Sequence, residues 1–313
     1  MMTAKTFNAD GPCDPASHYM LPAIPRLKKA DGLFGARLYF ILHAPRQSGK
    51  TTCLRSMTDK INSEGQWYAL NCTLGTLRNT IDENDALTEV VSQINMAMTR
   101  SLVKIINEKA YAYDYLPGMK APDSKVATIL NHLCKDLDKD LIVFFDEADV
   151  LSGHGLVSFL SQVRDGYLYR NETVNRFPRS MALVGMRDIR DCPSKIGPDD
   201  GPTEDCGFFN IANESLTLYN FTKDEVRTLY GQHSEATGQA FDDSAIDRAW
   251  YWTEGQPWLV NALARQIVSG QLENDHMAEI TGDHFDQAAA TLIEGRSTHV
   301  GSLRARLQEP RVI

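Results

Sequence analysis

The sequence predicts an α/β fold, a buried parallel sheet with a tight loop after its first strand, followed by an all-helical segment. Three observations predict it. An apolar run at 38–42 gives way to a small, polar turn that closes on Gly49-Lys50-Thr51-Thr52. Two further apolar runs, 141–145 (LIVFF) and 180–186 (SMALVGM), lack the alternation of a half-exposed strand and suit strands buried on both faces. From Tyr219 onward only helical texture remains.

Taken in order, residues 1–37 read as an irregular arm with Pro15, Pro22 and Pro25. Its segment 18–22 (HYMLP) is either a lead-in packed over a nucleotide base or a surface arm tied down by Tyr19 and Leu21. After the loop a helix is expected to about Asn62, broken by Ser63-Glu64-Gly65. A strand follows at 66–71 (QWYALN). Asp82 or Asn84 can cap a long helix whose apolar stripe is Leu87, Val90, Val91, Ile94, Met98, Leu102, Ile105 and Ile106. Another helix covers about 123–137, and the strand at 141 comes next. Beyond it lie a helix at 156–165, the strand at 180–186, a Pro/Gly/Asp-rich loop at 192–210 and a short edge strand at 215–218. The helical segment opens at Thr222, with Asp224 and Glu225 in the first turn. It continues at 241–252, and Pro257 then begins a helix over 258–268. The expected organisation is an arm (1–37), a nucleotide-binding core (38–218) and a helical lid (219–313). The lid ends without a helix stop signal, as in a piece of a longer chain.

The chemistry sits at two places. A strand, a tight loop and a Gly-Lys-Thr that opens a helix make a phosphate cradle, because loop N–H groups and the free donors of the helix N-terminus point at the anion. The cradle is Ala44, Pro45, Arg46, Gln47, Ser48, Gly49, Lys50, Thr51 and Thr52. Lys50 reaches the β- and γ-phosphates, and the Thr51 hydroxyl sits on Mg²⁺. Ala44 stands where the G-x-x-x-x-G-K-[ST] pattern has its first glycine, the smallest change available. The second place is the end of the LIVFF run, where Asp146 would hold the Mg²⁺ shell and Glu147 would orient and deprotonate the attacking water. Arg187, at the tip of the third apolar run, is placed to sense the γ-phosphate. Arg190 is a candidate arginine finger, donated to a neighbouring subunit.

Composition limits the rivals. A net charge of −9 and a pI near 5.4 argue against broad binding to a nucleic-acid backbone. No apolar run is long enough to cross a bilayer and no signal-peptide core opens the chain, so a cytoplasmic protein is expected. The six cysteines (13, 53, 72, 134, 192 and 206) include no C-x-x-C pair and read as free thiols. No Asn-Lys-x-Asp guanine-reading motif is present, which favours ATP.

With those residues in hand, the sequence resembles P-loop ATPases of the AAA+ and signal-transduction (STAND) kind, and more narrowly a bacterial group of uncharacterised AAA-like ATPases. The matching pieces are PRQSGKTT, FFDEAD, VGMRDIRD, SLTLYNFTKDEV, TEGQPWLVNALARQIV and THVGSLRARLQEPRV. The resemblance implies a strand order of 5-1-4-3-2 and an arginine sensor at Arg187. It also implies a Gly-x-Pro signature at Gly255-Gln256-Pro257, whose proline touches the nucleotide base from the lid. Arg265 is the available second sensor. The implied activity is slow ATP hydrolysis by a molecular switch, with ATP and Mg²⁺ held between core and lid. Its implied partners are an unknown protein and an ATP-dependent homo-oligomer. A DNA-acting ATPase of the origin-recognition or transposition-helper kind, a non-catalytic nucleotide-stabilised scaffold and a small-molecule kinase are the alternatives, the first disfavoured by the acidic balance.

Overall fold

The apolar runs become strands of one sheet. The computed structural model describes residues 5–79, 82–102, 125–170, 175–186, 211–212 and 214–295. Its strands are β1 (Tyr39–His43), β2 (Tyr68–Thr73), β3 (Leu141–Asp146), β4 (Ser180–Gly185) and β5 (Glu214–Thr217). They are ordered β2-β3-β4-β1-β5, and every neighbouring pair is parallel. This is the expected order 5-1-4-3-2 read from the other edge, with β4 inserted between the loop-bearing β1 and the acidic β3. Leu183 of β4 pairs with Ile41 on one side and Phe145 on the other, so β1, β3 and β4 end along the same edge.

Alternation along the strands gives the sheet two apolar faces. On one face Tyr39, Ile41, Leu70, Cys72, Val143, Phe145, Met181 and Leu183 share a core with α3 (Glu83–Ser101), α4 (Lys125–Asp136) and α5 (Gly153–Tyr169). Burial pushes the Cys72 thiol up to about 12, so it behaves as a small hydrophobe. On the other face Phe34 of α1 (Lys28–Gly35) packs its ring against Phe40 and Phe144. The helix after the loop, α2 (Lys50–Glu64), buries Cys53, Leu54, Met57 and Ile61.

The expected elements shift by a few residues for local reasons. Helix α2 runs through Ser63 and Glu64 and stops where Gly65 turns left-handed, at φ +70°. Strand β2 begins and ends two residues late. Asp82 caps α3, its carboxylate accepting the Asp85 N–H at 3.1 Å; Ile105 and Ile106 lie outside the described residues. Residues 24–35, expected to be irregular, form a 3₁₀ turn (Ile24–Leu27) and α1, because Pro25 suits a first turn and Ala30 and Phe34 bury one face.

By its contacts the chain divides into two compact units, one of the sheet with its helices (23–46 and 53–218) and a helical one that takes in 1–22, the loop segment 47–52 and 219–313. The helical unit contains α6 (Lys223–Thr237), α7 (Asp243–Thr253), α8 (Pro257–Arg265) and α9 (Gly282–Glu294), the last without any expectation from sequence. A complete capping box starts α6, with the Thr222 hydroxyl accepting from Glu225 N–H and the Glu225 carboxylate accepting from Thr222 N–H. Helix α8 stops at Arg265 and passes into a π-helical turn, Gln266–Gln271, where a single helix was expected. Phe7, Tyr19 and Leu21 of the arm complete this core, with the Phe7 and Tyr19 rings 4.9 Å apart. Gln232 pairs with both backbone groups of Met20, and Trp258 Nε1 donates to the Ala9 carbonyl at 2.8 Å. The arm is thus tied by Tyr19 and Leu21, and equally by Phe7.

Candidate nucleotide site

The loop takes its shape from two left-handed residues. His43 ends β1, its ring bridging to β5 through Ser215 Oγ and Thr217 Oγ1, each at 3.1 Å. Ala44 is fully buried and donates its N–H to the Gly185 carbonyl at 3.2 Å. Its φ is not left-handed, so the position does not demand glycine, and alanine is accommodated. The left-handed positions are Gln47 (φ +60°) and Gly49 (φ +86°). Such residues among right-handed ones turn successive N–H groups toward one concavity. Helix α2 starts at Lys50, so Lys50, Thr51 and Thr52 stand in its first turn, at the positive end of the helix dipole where an anion is favoured. Ser48 is fully buried behind them. Arg46 is held outward, its Nε on Met186 Sδ at 2.9 Å. The arm also reaches this loop: Cys13 N–H donates to Thr52 Oγ1 at 3.1 Å.

At the end of β3 the acidic residues are differently placed. Asp146 is 1% exposed, and its Oδ1 accepts the Glu147 N–H at 3.0 Å. Glu147 itself is left-handed (φ +59°, ψ +36°), which costs a non-glycine residue about 1 kcal/mol or more and marks functional turns. Its carboxylate lies over Gly75, just beyond β2. A third carboxylate, which the sequence reading left without a role, is Asp149. Its Oδ2 accepts the Met186 N–H at 3.0 Å, and a Cβ at Gly185 would stand 3.0 Å from its Cγ. Asp149 therefore fixes the chain at the residue before Arg187; the third acid of FFDEAD was the available signal. Arg187 and Arg190 lie outside the described residues.

The Gly-x-Pro segment belongs to the helical unit. Gly255 is left-handed (φ +71°), and its carbonyl accepts the Phe221 N–H at 2.9 Å. Gln256 caps α8, its Oε1 accepting the Leu259 N–H at 2.6 Å, and the buried Pro257 is the first helical residue. Arg265 is ion-paired with Asp10 of the arm. The cation that the resemblance offers as a second sensor is engaged inside its own unit.

Among the described residues, no group of three or more His, Cys, Asp or Glu side chains gathers to hold a metal by itself. A Mg²⁺ that brings its own phosphate ligands needs no such cage, only a hydroxyl or carboxylate or two. Thr51 at the start of α2 and Asp146 at the end of β3 are of the required type.

No family model and no curated protein matches the sequence. Solved structures do. The chain is similar to a Walker-type ATPase of Pyrococcus abyssi, at 16% identity and a TM-score of 0.64, over 96% of this chain and 79% of that one. It is similar to Cdc6p of Pyrobaculum aerophilum, at 15% identity and a TM-score of 0.56, over 89% and 69%. The ORC2 protein of Aeropyrum pernix, described in ADPNP and ADP complexes, aligns at 14% identity and a TM-score of 0.50, over 85% and 67%. The fold is that of the P-loop NTPases.

Proposed function

We propose that this chain binds ATP with Mg²⁺ and hydrolyses it slowly, as a nucleotide-dependent switch. The observation that supports the reading is the sheet order: β1, which runs into the loop 44–52, and β3, which ends in Asp146 and a left-handed Glu147, point the same way and are separated by one strand. Residues 44–52 would bind the phosphates through loop N–H groups and Lys50. Thr51 and Asp146 would hold Mg²⁺, which when bound neutralises charge on the phosphates. Glu147 would accept the proton of the attacking water, and Arg187 would stabilise the charge that develops on the γ-phosphate. Pro257 is assigned to the base and Arg190 to a neighbouring copy of the chain. The similarity to nucleotide-complexed ORC2 supports adenine nucleotide as the ligand.

The test is binding of ATP, ADP and GTP to the purified protein with Mg²⁺, followed by sizing with and without ATP. Adenine-selective binding with an ATP-dependent change of assembly is the expected result. Absence of nucleotide binding overturns the reading. Binding without turnover or assembly leaves a nucleotide-stabilised scaffold in its place.

A further inference from the structure

The sheet unit holds a cavity of its own, at the edge where β1, β3 and β4 begin. It has a volume of about 300 Å³ and is lined by Arg37, Lys139, Arg170, Arg176 and Arg179, against the carboxylates of Asp138 and Asp140. A cationic surplus gathered in one cavity of an acidic chain focuses positive potential there.

Several of these charges are already engaged. Arg179 donates to the Phe34 carbonyl, the Gly35 carbonyl and Asp140 at 2.8–2.9 Å, with its guanidinium over the Trp67 ring. Arg37 adds a second bond to Asp140 at 3.2 Å. Burial raises the Asp140 carboxyl, but the bonds from Arg179 and Arg37 outweigh it and hold the group below its ordinary value. Asp138 accepts from the Tyr68 hydroxyl at 3.0 Å, and Lys139 sits over the Tyr68 ring. Arg170, whose side chain also hydrogen-bonds that of Tyr39, and Arg176 complete the cationic lining. The Arg170 guanidinium lies 3.7 Å from the Tyr167 ring centroid and 5.9 Å from that of Tyr39. Its Nη1 is buried without a hydrogen-bond partner among the described residues. The Arg170 guanidinium lines the cavity, and its fork offers charge-assisted N–H donors to an oxyanion bound there. The Arg176 side chain is exposed at the same cavity. Burial drives the lining thiol, Cys134, far above its usual range, so it is neutral and does not compete as an anion.

We propose that this cavity binds a small polyvalent oxyanion, of the phosphate or polycarboxylate kind, through Arg170 and Arg176. Its volume is at the lower end for ligand pockets and admits a small metabolite but not a folded segment. The planar fork of arginine matches phosphate and carboxylate oxygens alike.

The test uses the Lys50→Ala protein, so that the phosphate loop does not itself capture the probe. It is titrated calorimetrically with inorganic pyrophosphate and, separately, with citrate. Saturable binding of either is expected, and the preferred probe tells phosphate from polycarboxylate. Arg170→Gln and Arg176→Gln should each weaken it about tenfold or more, a loss typical of a charge-assisted contact. If Arg170→Gln disturbs folding by losing its aromatic contacts, the exposed Arg176→Gln decides. With Lys50 intact, Arg176→Gln should leave ATP binding unchanged. Failure of both probes to bind, or binding that survives both arginine substitutions, overturns the proposal whatever happens at the ATP site.

Discussion

Glu147 lies over Gly75: a methyl group built at position 75 would stand 1.9 Å from Glu147 Oε2 and 3.0 Å from its Cδ. Gly75 is not left-handed, so alanine is compatible with the backbone there and acts only by displacing the carboxylate. Gly75→Ala should therefore bind ATP as the parent protein does and turn it over about 10²-fold more slowly, the usual worth of a positioned general base. Glu147→Gln should show the same pattern more strongly. Comparing Kd with kcat for both variants checks it, and unchanged kcat in both removes Glu147 from the chemistry.

The loop yields a prediction about conformation. Gln47 is held at φ +60°, which glycine adopts without cost and a β-branched residue resists. Gln47→Gly should keep nucleotide affinity, whereas Gln47→Val should lower it and cost about 1–3 kcal/mol of stability. Lys50→Ala should lose nucleotide binding while unfolding like the parent. Titration with a fluorescent ATP analogue and thermal unfolding separate these effects; equal affinity in Gln47→Val would show that the loop conformation is immaterial.

The sheet was legible because burial on both faces leaves short continuous apolar runs: LIVFF and SMALVGM are too short for buried helices and are bounded by polar or turn residues. The chemical residues were legible where they sat at strand ends, as Asp146 and Glu147 do. What sequence did not reveal depends on contacts far apart in the chain. The third acid of FFDEAD marks Asp149 as a candidate but does not name the Met186 N–H as its partner, and nothing near Arg265 says that Asp10 pairs with it. Helix α1 was hidden by the prolines before it, and α9 by a cap in which His284 Nδ1 accepts the Thr281 N–H in place of the usual Glu. The order of strands came from the resemblance alone, since spacing does not encode which strand inserts between two others.

The helical unit should be acid-sensitive. His233 is buried beside Phe7, Tyr19 and Phe241, its Nε2 2.8 Å from Gln239 Oε1 and its ring 5.4 Å from that of His276. Burial lowers its pKa below the ordinary histidine value, and the neighbouring His276 adds to this against the Gln239 bond. With the folded value depressed, the unfolded chain binds the extra proton, so this stability is present above about pH 6.5 and is lost as pH falls through the folded value. Thermal unfolding across that window should show a falling Tm, and His233→Gln should flatten the dependence. A His233→Gln protein with the parent's slope would place the sensitivity elsewhere.

Gly255 combines two demands that no other residue meets. At φ +71° an L side chain is strained, and a Cβ there would stand 1.9 Å from the Phe221 carbonyl oxygen and 2.8 Å from its carbon. Because the Phe221 N–H bonds the Gly255 carbonyl, the two segments cannot separate without losing that bond as well. Gly255→Ala should therefore destabilise the helical unit by about 2–4 kcal/mol, the range reached when strain and a backbone clash coincide. Stability alone would not connect this turn to nucleotide, so Pro257→Ala is the companion. Proline at the first helical position gives up no hydrogen bond, and its replacement should cost about 1 kcal/mol or less. If Pro257 touches the base, Pro257→Ala weakens ATP and ADP binding at a temperature where the protein is fully folded, while binding of inorganic pyrophosphate is unaffected. Equal loss for all three ligands, or none, would mean that Gly255-Gln256-Pro257 shapes the fold and has no part in reading the base.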